Sequence, residues 1–420
     1  MGDREEEEEA EEKGEGGERS VSDKKLGRTV KVLGLVSLFT DASSEMIYPL
    51  LPIFLSSVLG AGAATIGVIE GVAEGTASVL KGFSGYISDR LHKRKALILA
   101  GYGLSALTKP FFAAAGAAWQ VLVIRFVDRA GKGIRTAPRD AMIAESTDKA
   151  IWGKAYGFHR AMDTLGAIVG PGMAFLLMWA LSGQGDDRYR WVFLAAFIPG
   201  LVAVCLIFFV LKEQPFKSRV RFPGIRLSGF DRGYKMLLMV VAVFTLGNSS
   251  DAFLLLKAQD IFEQAGISGA MVPVLIPLIW LTFNVVYSAV SMPAGILSDR
   301  IGRKETLLIG FFLYSLIYLG FAFAGSTLVV WLLMAAYGVF YGLTEGVMKA
   351  YVADLSPQEM KGTAFGVYHA TDGISRLLAS IIFGVLWQLY GAAAAFLFGA
   401  GLAMIATFLL WSFCEEPRQT

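Results

Sequence analysis

The sequence predicts an all-α membrane protein with twelve transmembrane helices in two pseudo-symmetric six-helix bundles and both termini in the cytoplasm. The first observation is composition: hydrophobic residues make up 55% of the chain, charged residues 18%, and the mean hydropathy is +0.54. A soluble protein of this size could not remove so much apolar surface from water. The second observation is a series of long apolar runs, and the third is an internal repeat that relates the two halves of the chain.

Twelve runs are mostly apolar and long enough for a helix that crosses a bilayer, which needs roughly 20 residues. They cover residues 31–55, 65–88, 96–115, 119–143, 153–181, 190–211, 236–257, 271–297, 305–324, 327–350, 362–389 and 392–414. Runs of this length without alternation of apolar and polar residues exclude a β-barrel. We therefore predict one six-helix bundle within 29–211 and a second within 236–414.

The connections between the runs predict the orientation in the membrane. Residues 212–235 form a basic linker in which Lys and Arg outnumber Glu213 and Asp231. Loops on the same side of the predicted bundles are also basic, whereas connections on the other side, such as 56–64, are almost uncharged. Because Lys and Arg accumulate in short cytoplasmic loops, we expect a multi-pass protein of the cell membrane with cytoplasmic termini.

Two short segments lie outside the predicted bundles. Residues 1–28 are rich in Glu and Gly, a composition that cannot bury a core, so we expect a disordered acidic tail. Residues 415–420 are predicted to be a short cytoplasmic tail. Cys205 and Cys414 indicate neither a disulfide nor a metal site, and no cofactor is expected.

The clearest internal repeat lies in two connections between runs. GFSGYISDRLHKRK at 82–95 is matched by AGILSDRIGRKE at 294–305, about half the chain length away. A chain whose second half repeats its first is predicted to build two bundles with a transport path between them. The residues that we predict to form gating loops are Gly85, Asp89, Arg90, Arg94, Gly295, Asp299, Arg300 and Arg303.

The six-plus-six layout and the doubled G-x-x-x-D-R loop resemble the major facilitator superfamily over everything after about residue 28. RFVDRAGKGIRTAPRDAMIAE, which starts at Arg125 and ends at Glu145, is similar to the family's fourth-helix motif. The resemblance implies that Asp89 and Asp299 act as latches at the cytoplasmic surface. Each would lie near a helix N-terminus of the other bundle, where an anion is stabilised.

The fifth run resembles the antiporter motif of proton-driven drug exporters in the same family. Glycines let membrane helices approach closely, and a proline interrupts the backbone hydrogen bonds of its helix. The usual Gly-Gly after the proline is replaced by Met173 and Ala174. The residues of this predicted packing motif are Gly157, Gly166, Gly170 and Pro171.

Ionisable residues within the apolar runs are the candidates for a substrate cavity, because each costs roughly 2.5–3.5 kcal/mol at the centre of a membrane helix. Those of the fourth run fall within about a 120° arc of the helix. We expect Arg125 and Arg129 to form a cluster with Asp41 and Glu45 near the membrane midplane. The substrate-cavity candidates are Glu70, Glu74, Arg125, Asp128, Arg129, Lys132, Arg160, Asp251, His369 and Arg376.

Four acids are candidates for proton coupling because they lie deep in apolar runs: Asp41, Glu45, Asp163 and Asp372. AYGFHRAMDTLG at 155–166 matches AFGVYHATDGIS at 364–375, which makes Asp163 and Asp372 equivalent positions of the repeat. Acids that face a central cavity could bind and release a proton as access to the cavity changes.

These features predict a secondary active transporter that works by alternating access, with proton-coupled efflux of a small molecule as the first hypothesis. An uptake symporter or organic-anion exchanger is the second, favoured by the basic fourth run, and a non-transporting membrane sensor or scaffold is the third. No nucleotide-binding pattern is present, which argues against ATP drive, and no catalytic spacing indicates an enzyme. The expected partners of a monomeric protein are its substrate, protons and lipid, without nucleic acid or metal.

Overall fold

A computed structural model describes residues 26–91, 93–148, 151–213, 229–356 and 360–414, and its regular secondary structure is helical. The long helices are α1 Arg28–Ile47, α2 Ala63–Leu91, α3 Arg94–Ala114, α4 Ala118–Glu145, α5 Trp152–Ala180, α6 Asp187–Cys205, α7 Arg232–Gly247, α8 Ala252–Gln264, α9 Val272–Ile301, α10 Arg303–Phe323, α11 Thr327–Asp354, α12 Lys361–Tyr390 and α13 Ala392–Phe413. A short helix at Leu51–Ile53 and π-helical turns at Phe54–Val58 and Leu206–Val210 extend α1 and α6. The predicted tails and most of the linker lie outside the described residues.

Ten stretches of the described residues are long and apolar enough to cross a membrane. One of these stretches, Arg232–Gln264, contains both α7 and α8. Helices α1 and α4 are 20 and 28 residues long but are not among the ten. Both carry several ionisable side chains, which lower their mean hydropathy. The prediction of an all-helical membrane protein is therefore confirmed.

The predicted run 236–257 is broken in the structure. Helix α7 ends at Gly247 and α8 begins at Ala252, with Asn248–Asp251 in between. Side chains such as these compete with the backbone for hydrogen bonds and favour helix ends over helix interiors. Here the Ser250 hydroxyl accepts a hydrogen bond from the backbone N–H of Ala252 at 3.3 Å.

The helices form two halves that meet along two helix pairs. Within the first half (α1–α6), α1 packs on α5 and α2 on α4; within the second half (α7–α13), α9 packs on α11 and α10 on α13. Between the halves, α2 packs along α12 and α5 along α9. Between the α2–α12 contact and the α5–α9 contact lies a space that helices of both halves surround.

The first helix begins and the last helix ends at the same face of the molecule. Helix α1 begins, and α13 ends, at one face of the molecule, which we call the terminal face; the Lys304 ammonium there donates to the Trp411 carbonyl oxygen at 3.0 Å. The other face is called the opposite face. At the opposite face, the Gln259 amide donates to the Ser57 hydroxyl at 2.7 Å, and the Arg188 guanidinium donates to the Ala270 carbonyl oxygen at 2.6 Å. These contacts join the two halves at the opposite face, on one side of the space between them.

Glycines bring α2 and α12 into backbone contact near the opposite face. A Cβ atom at Gly67 would lie 2.3 Å from the Ser380 carbonyl oxygen, and one at Gly384 would lie 2.5 Å from the Ala63 carbonyl oxygen. Neither distance is possible for a real side chain, so small residues are required on both helices.

Candidate functional site

A cavity of about 170 Å³ lies midway between the two faces, at the interface of the halves. Three acids and three bases line it, together with aromatic and small polar side chains, so the wall can neutralise and hydrogen-bond a polar ligand. We call this the central cavity. Its lining residues are Glu45, Tyr48, Glu74, Arg129, Lys132, Asn248, Ser249, Ser250, Asp251, Trp280, Tyr341, Arg376 and Ser380.

The break between α7 and α8 forms part of the cavity wall. All four residues of the break, Asn248–Asp251, line the cavity. Non-helical backbone at membrane depth is tolerated where it is buried in protein or lines a cavity, since lipid cannot satisfy its polar groups. The interruption therefore supplies polar backbone and side chains at the centre of an apolar bundle.

Behind the wall of the first half lies a buried ion network. The Arg125 guanidinium holds the Glu70 carboxylate at two points, with Nη2–Oε2 at 2.5 Å and Nε–Oε1 at 3.1 Å. The Lys109 ammonium lies 3.1 Å from the Asp128 carboxylate, which also accepts a hydrogen bond of 2.5 Å from Ser105. Glu70, Arg125 and Asp128 are 1%, 4% and 4% exposed, so they support the cavity wall rather than line it.

Two basic residues of α4 do reach the cavity. The Arg129 guanidinium lies 3.6 Å from the Glu74 carboxylate and 3.9 Å from that of Asp128. The Lys132 side chain is exposed to the cavity, and it forms no ion pair with any residue that the structure describes. Lys132 is thus a cation available to a ligand.

Aromatic side chains hold two of the cavity acids. The Trp280 indole N–H donates to the Glu45 carboxylate at 2.6 Å, which joins the two halves. The Tyr337 hydroxyl donates to the Asp251 carboxylate at 2.6 Å, and Tyr341 adds a longer contact of 3.4 Å. Sequence reasoning missed these three aromatic residues, because an aromatic residue in an apolar run resembles any other core residue.

Of the predicted cluster of Arg125 and Arg129 with Asp41 and Glu45, only Arg129 and Glu45 line the central cavity together, and the described ion pairs of the two arginines are with other acids. The arginines pair with the acids of α2, Glu45 accepts from Trp280, and Asp41 lies against α5, where a Cβ atom at Gly166 would be 3.0 Å from the Asp41 Cβ atom. Helical rise predicted similar depths for these residues. The rotation of α1 and α4 about their axes decides which neighbour each side chain meets, and depth alone does not specify it.

A second cavity of about 680 Å³ lies nearer the terminal face, between α5, α9 and α11. Arg160, a predicted substrate-cavity residue, lines this second cavity, with its guanidinium 3.2 Å from the Glu345 carboxylate of the other half. His369 also lies away from the central cavity, about two turns closer to the terminal face than Arg376 on α12. Its ring centroid is 5.1 Å from that of Tyr368.

The fourth proton-coupling candidate, Asp372, lines a small cavity of about 70 Å³ that shares Asn248, Tyr341 and Arg376 with the central cavity. Its carboxylate is 2.9 Å from the Arg376 guanidinium, one turn further along α12, and accepts a hydrogen bond of 3.2 Å from the Thr245 hydroxyl. No group of three His, Cys, Asp or Glu side chains within the described ranges is arranged to hold a metal ion.

The predicted gating loops carry a repeated ion pair at the terminal face. The Arg94 guanidinium pairs at two points with the Glu145 carboxylate, both at 2.8 Å, and the Arg303 guanidinium lies 3.4 Å from the Asp354 carboxylate. Among the residues that the structure describes, the Asp299 carboxylate pairs with Arg303 of its own loop at 2.5 Å.

The remaining residues of these loops differ in what the structure records. The surroundings of Gly85 and the side chain of Asp89 are not among the features that the structure describes. Arg90 and Arg300 are exposed. A Cβ atom at Gly295 would meet nothing within 4 Å, so close approach does not explain that glycine.

The glycines of α5 divide into two groups. Cβ atoms at Gly166 and Gly170 would lie 2.5 Å and 2.6 Å from carbonyl oxygens of α1, and Pro171 is buried beside them. A Cβ atom at Gly157 would meet nothing within 4 Å. Of these three glycines, Gly166 and Gly170 are therefore the ones that allow the close contact of α5 with α1.

Two repeated helical halves around a charged cavity define a multi-pass membrane transporter of the two-lobed type. The sequence model of the Major Facilitator Superfamily matches residues 33–238 and 237–420. The chain therefore belongs to this family of transporters, whose members are not enzymes.

Relatives of known sequence and structure agree with this assignment. The chain is 37% identical to an uncharacterized MFS-type transporter of Methanocaldococcus jannaschii, over 93% of this chain and 96% of the relative. It is 23% identical to the class E tetracycline resistance protein of Escherichia coli, over 92% and 95% of the two chains. The crystal structure of a D-xylose-proton symporter superposes with a TM-score of 0.76 at 18% identity, covering 94% of this chain and 99% of that one.

Proposed function

We propose that this protein exports a small polar molecule by alternating access and that proton entry drives the export. The observation that carries the proposal is the central cavity, which is lined by charged side chains of both halves. A ligand bound there contacts both halves at once. Rocking of one half against the other therefore changes the side from which the ligand is accessible.

Twelve membrane spans are part of the proposal. Ten stretches qualify by length and hydropathy, and α1 with its extension and α4 supply two more, because their ionisable side chains lie against other helices or the central cavity rather than lipid. We place the first six spans within 29–211, the linker at 212–235 and the second six within 236–414. The basic loops at the terminal face support cytoplasmic termini, with tails 1–28 and 415–420, in the cell membrane.

With this orientation the described conformation faces the cytoplasm. The contacts of Gln259 with Ser57 and of Arg188 with Ala270 join the halves on the outer side. The larger cavity, about 680 Å³, lies on the cytoplasmic side of the central cavity. A substrate of an exporter would enter by this route.

Proton coupling is supported by the positions of four acids, Asp41, Glu45, Asp163 and Asp372. Glu45 is held by an indole of the other half, and Asp372 by Arg376 and Thr245, so a relative movement of the halves or helices changes their partners. The likeness to a tetracycline resistance protein supports the export direction.

Flux into proteoliposomes tests the proposal. Compounds that raise the unfolding temperature of the purified protein are selected first, and each is then followed in vesicles of known orientation under an imposed pH gradient. The expected result is accumulation that depends on the gradient, with accompanying proton movement. Substrate movement with the proton in the same direction would replace export by symport, and stabilising compounds that never cross the membrane would indicate a sensor or scaffold.

Neutral amide variants identify the coupling acid. Asp41→Asn, Glu45→Gln, Asp163→Asn and Asp372→Asn are assayed singly for gradient-driven accumulation and for exchange of internal against external substrate. A proton carrier must lose and regain its proton, so its amide variant should stop accumulation and preserve exchange. If all four variants accumulate substrate at the wild-type rate, proton coupling through these acids is wrong.

A further inference from the structure

The charged residues of the central cavity do not all neutralise one another. The Arg129 guanidinium lies 3.6 Å from the Glu74 carboxylate. The Arg376 guanidinium lies 2.9 Å from the Asp372 carboxylate. Three charged lining residues form no ion pair with any side chain that the structure describes: Lys132, Glu45 and Asp251. A ligand in this cavity therefore meets one cation and two carboxylates that have no described partner of opposite charge.

Lys132 is the available cation, and close packing fixes its position on α4. A Cβ atom at Gly131 would lie 2.6 Å from the Gly101 carbonyl oxygen of α3. A Cβ atom at Gly133 would lie 2.6 Å from the Leu80 Cβ atom of α2. The α4 backbone on both sides of Lys132 is thus held against two neighbouring helices. Because an ammonium group has three donors and no acceptor, the complementary ligand group is an anion.

Asp251 is the available carboxylate of the second half, and it lies in the break between α7 and α8. Its Oδ1 atom accepts a hydrogen bond of 2.6 Å from Tyr337. Its Oδ2 atom has a contact of 3.5 Å with Tyr341 and no shorter one among the described residues. An ionised carboxylate has about four lone-pair sites, so Oδ2 is open to a donor from the cavity. The rings of Tyr341 and Trp280 also line the cavity and attract a cation to their faces.

The charges without partners argue against several classes of ligand. A neutral sugar leaves all three unmatched, and a dianion brings two negative charges to a site with one available cation. A simple amine leaves Lys132 without a partner. Enclosing an unpaired charge is costly. A ligand with one anionic group and one ammonium group matches Lys132 and Asp251 together, and Glu45 remains for the proton of the proposed coupling.

We propose that the central cavity binds a small zwitterion, with its anionic group on Lys132 of the first half and its ammonium group on Asp251 of the second half. The cavity volume of about 170 Å³ lies below the roughly 300–1,000 Å³ of sites for drug-sized ligands, so the molecule is small. Its two charged groups tie the halves together. That this zwitterion is the exported molecule rests on the function proposed above, whereas its binding does not.

Matched ligands test the charge requirement. The unfolding temperature of the full-length protein in detergent is measured at neutral pH during titration with ω-amino acids from glycine to 6-aminohexanoate. Each is compared with the amine and the carboxylate of the same chain length, such as 4-aminobutanoate with butylamine and butanoate. The shifts give apparent dissociation constants. At least one zwitterion should bind roughly tenfold or more tightly than both analogues, since a hydrogen bond to a charged group contributes that much.

Substitutions assign each end of the ligand to one residue. Lys132→Gln should bind the zwitterion no more tightly than the amine, because the charge that binds the anionic group is gone. Asp251→Asn should likewise bind it no more tightly than the carboxylate. Lys132→Arg keeps the charge and should keep the preference, which separates loss of charge from loss of folding. Lys257→Gln and Asp260→Asn are matched controls from α8, and neither residue lines the central cavity.

Three results would overturn the site: no zwitterion raises the unfolding temperature, an analogue with one charge binds as tightly as the zwitterion, or Lys132→Gln or Asp251→Asn keeps the wild-type preference. Flux in vesicles separates the site from the export function. A zwitterion that binds through both residues but is never moved against its gradient confirms the site and refutes export. Export of a compound that lacks one of the two charges refutes the site and leaves the export function intact.

Discussion

The Arg125 guanidinium and the Glu70 carboxylate form a two-point ion pair between α4 and α2, although 55 residues separate them in the chain. Both side chains are almost completely buried, at 4% and 1% exposure. The pair cross-links two helices directly behind the central cavity. It therefore fixes the position of the next turn of α4, which presents Arg129 and Lys132 to the cavity.

Removing Arg125 should destabilise the fold strongly. Arg125→Ala leaves the buried Glu70 carboxylate without its partner, and breaking a buried pair in this way costs about 3–5 kcal/mol. Arg125→Lys keeps the charge but cannot form two parallel hydrogen bonds, so it should lie between Arg125→Ala and the wild type. The measurement is the unfolding midpoint in detergent. The double variant Glu70→Gln/Arg125→Gln should recover much of the loss, and equal midpoints for Arg125→Lys and the wild type would contradict a two-point role.

A methyl group at the interface of the halves should be poorly tolerated. Gly67→Ala places a Cβ atom 2.3 Å from the Ser380 carbonyl oxygen, and relief of such overpacking typically costs about 1–3 kcal/mol. Gly172→Ala is the control, because a Cβ atom there would meet nothing within 4 Å. We expect a lower thermal midpoint for the first variant only. Identical midpoints for the two variants would show that α2 and α12 are not in close contact.

Loss of one indole N–H should impair transport more than folding. Trp280→Phe removes the donor to Glu45 but keeps an aromatic ring beside Phe283 and Tyr48, whose centroids lie 4.6 Å and 5.1 Å away. A hydrogen bond to a charged group contributes about 1.5–3 kcal/mol. Initial rates of substrate flux should therefore fall several-fold or more. Trp387→Phe loses the same atoms at a ring that packs on Phe253, and it should leave the flux far less affected.

The two ion pairs of the repeated loops should differ in strength. Arg94 holds Glu145 at two points with side-chain exposures of 6% and 11%, whereas the Arg303 and Asp354 side chains are 24% and 43% exposed. Exposed pairs contribute little because water screens them. Arg94→Lys should thus lower the unfolding midpoint clearly more than Arg303→Lys. The reverse order would show that the second loop is the principal tie between helices at the terminal face.

The location of the helices could be predicted from the sequence, because each span needs a long apolar run. The predicted run 271–297 corresponds to Val272–Ile301, and 392–414 to Ala392–Phe413. The doubled loop likewise predicted a repeated architecture, and it led to the correct family. The break at Asn248–Asp251 was hidden, since four polar residues within a 22-residue run do not reveal whether the helix continues or ends.

Only the tertiary structure decided which charged groups meet. The sequence by itself determined that Arg125, Glu70, Asp41 and Asp163 face protein or water, because they lie within membrane-spanning runs where charges cannot face lipid. It did not determine that Arg125 pairs with Glu70 or that Arg160 pairs with Glu345 of the other half. Such pairings depend on the rotation of each helix about its axis and on which helices are neighbours. Both are set by the packing of small residues over the whole bundle. Examples are Gly166 of α5, which packs against α1, and Gly67 of α2, which packs against α12.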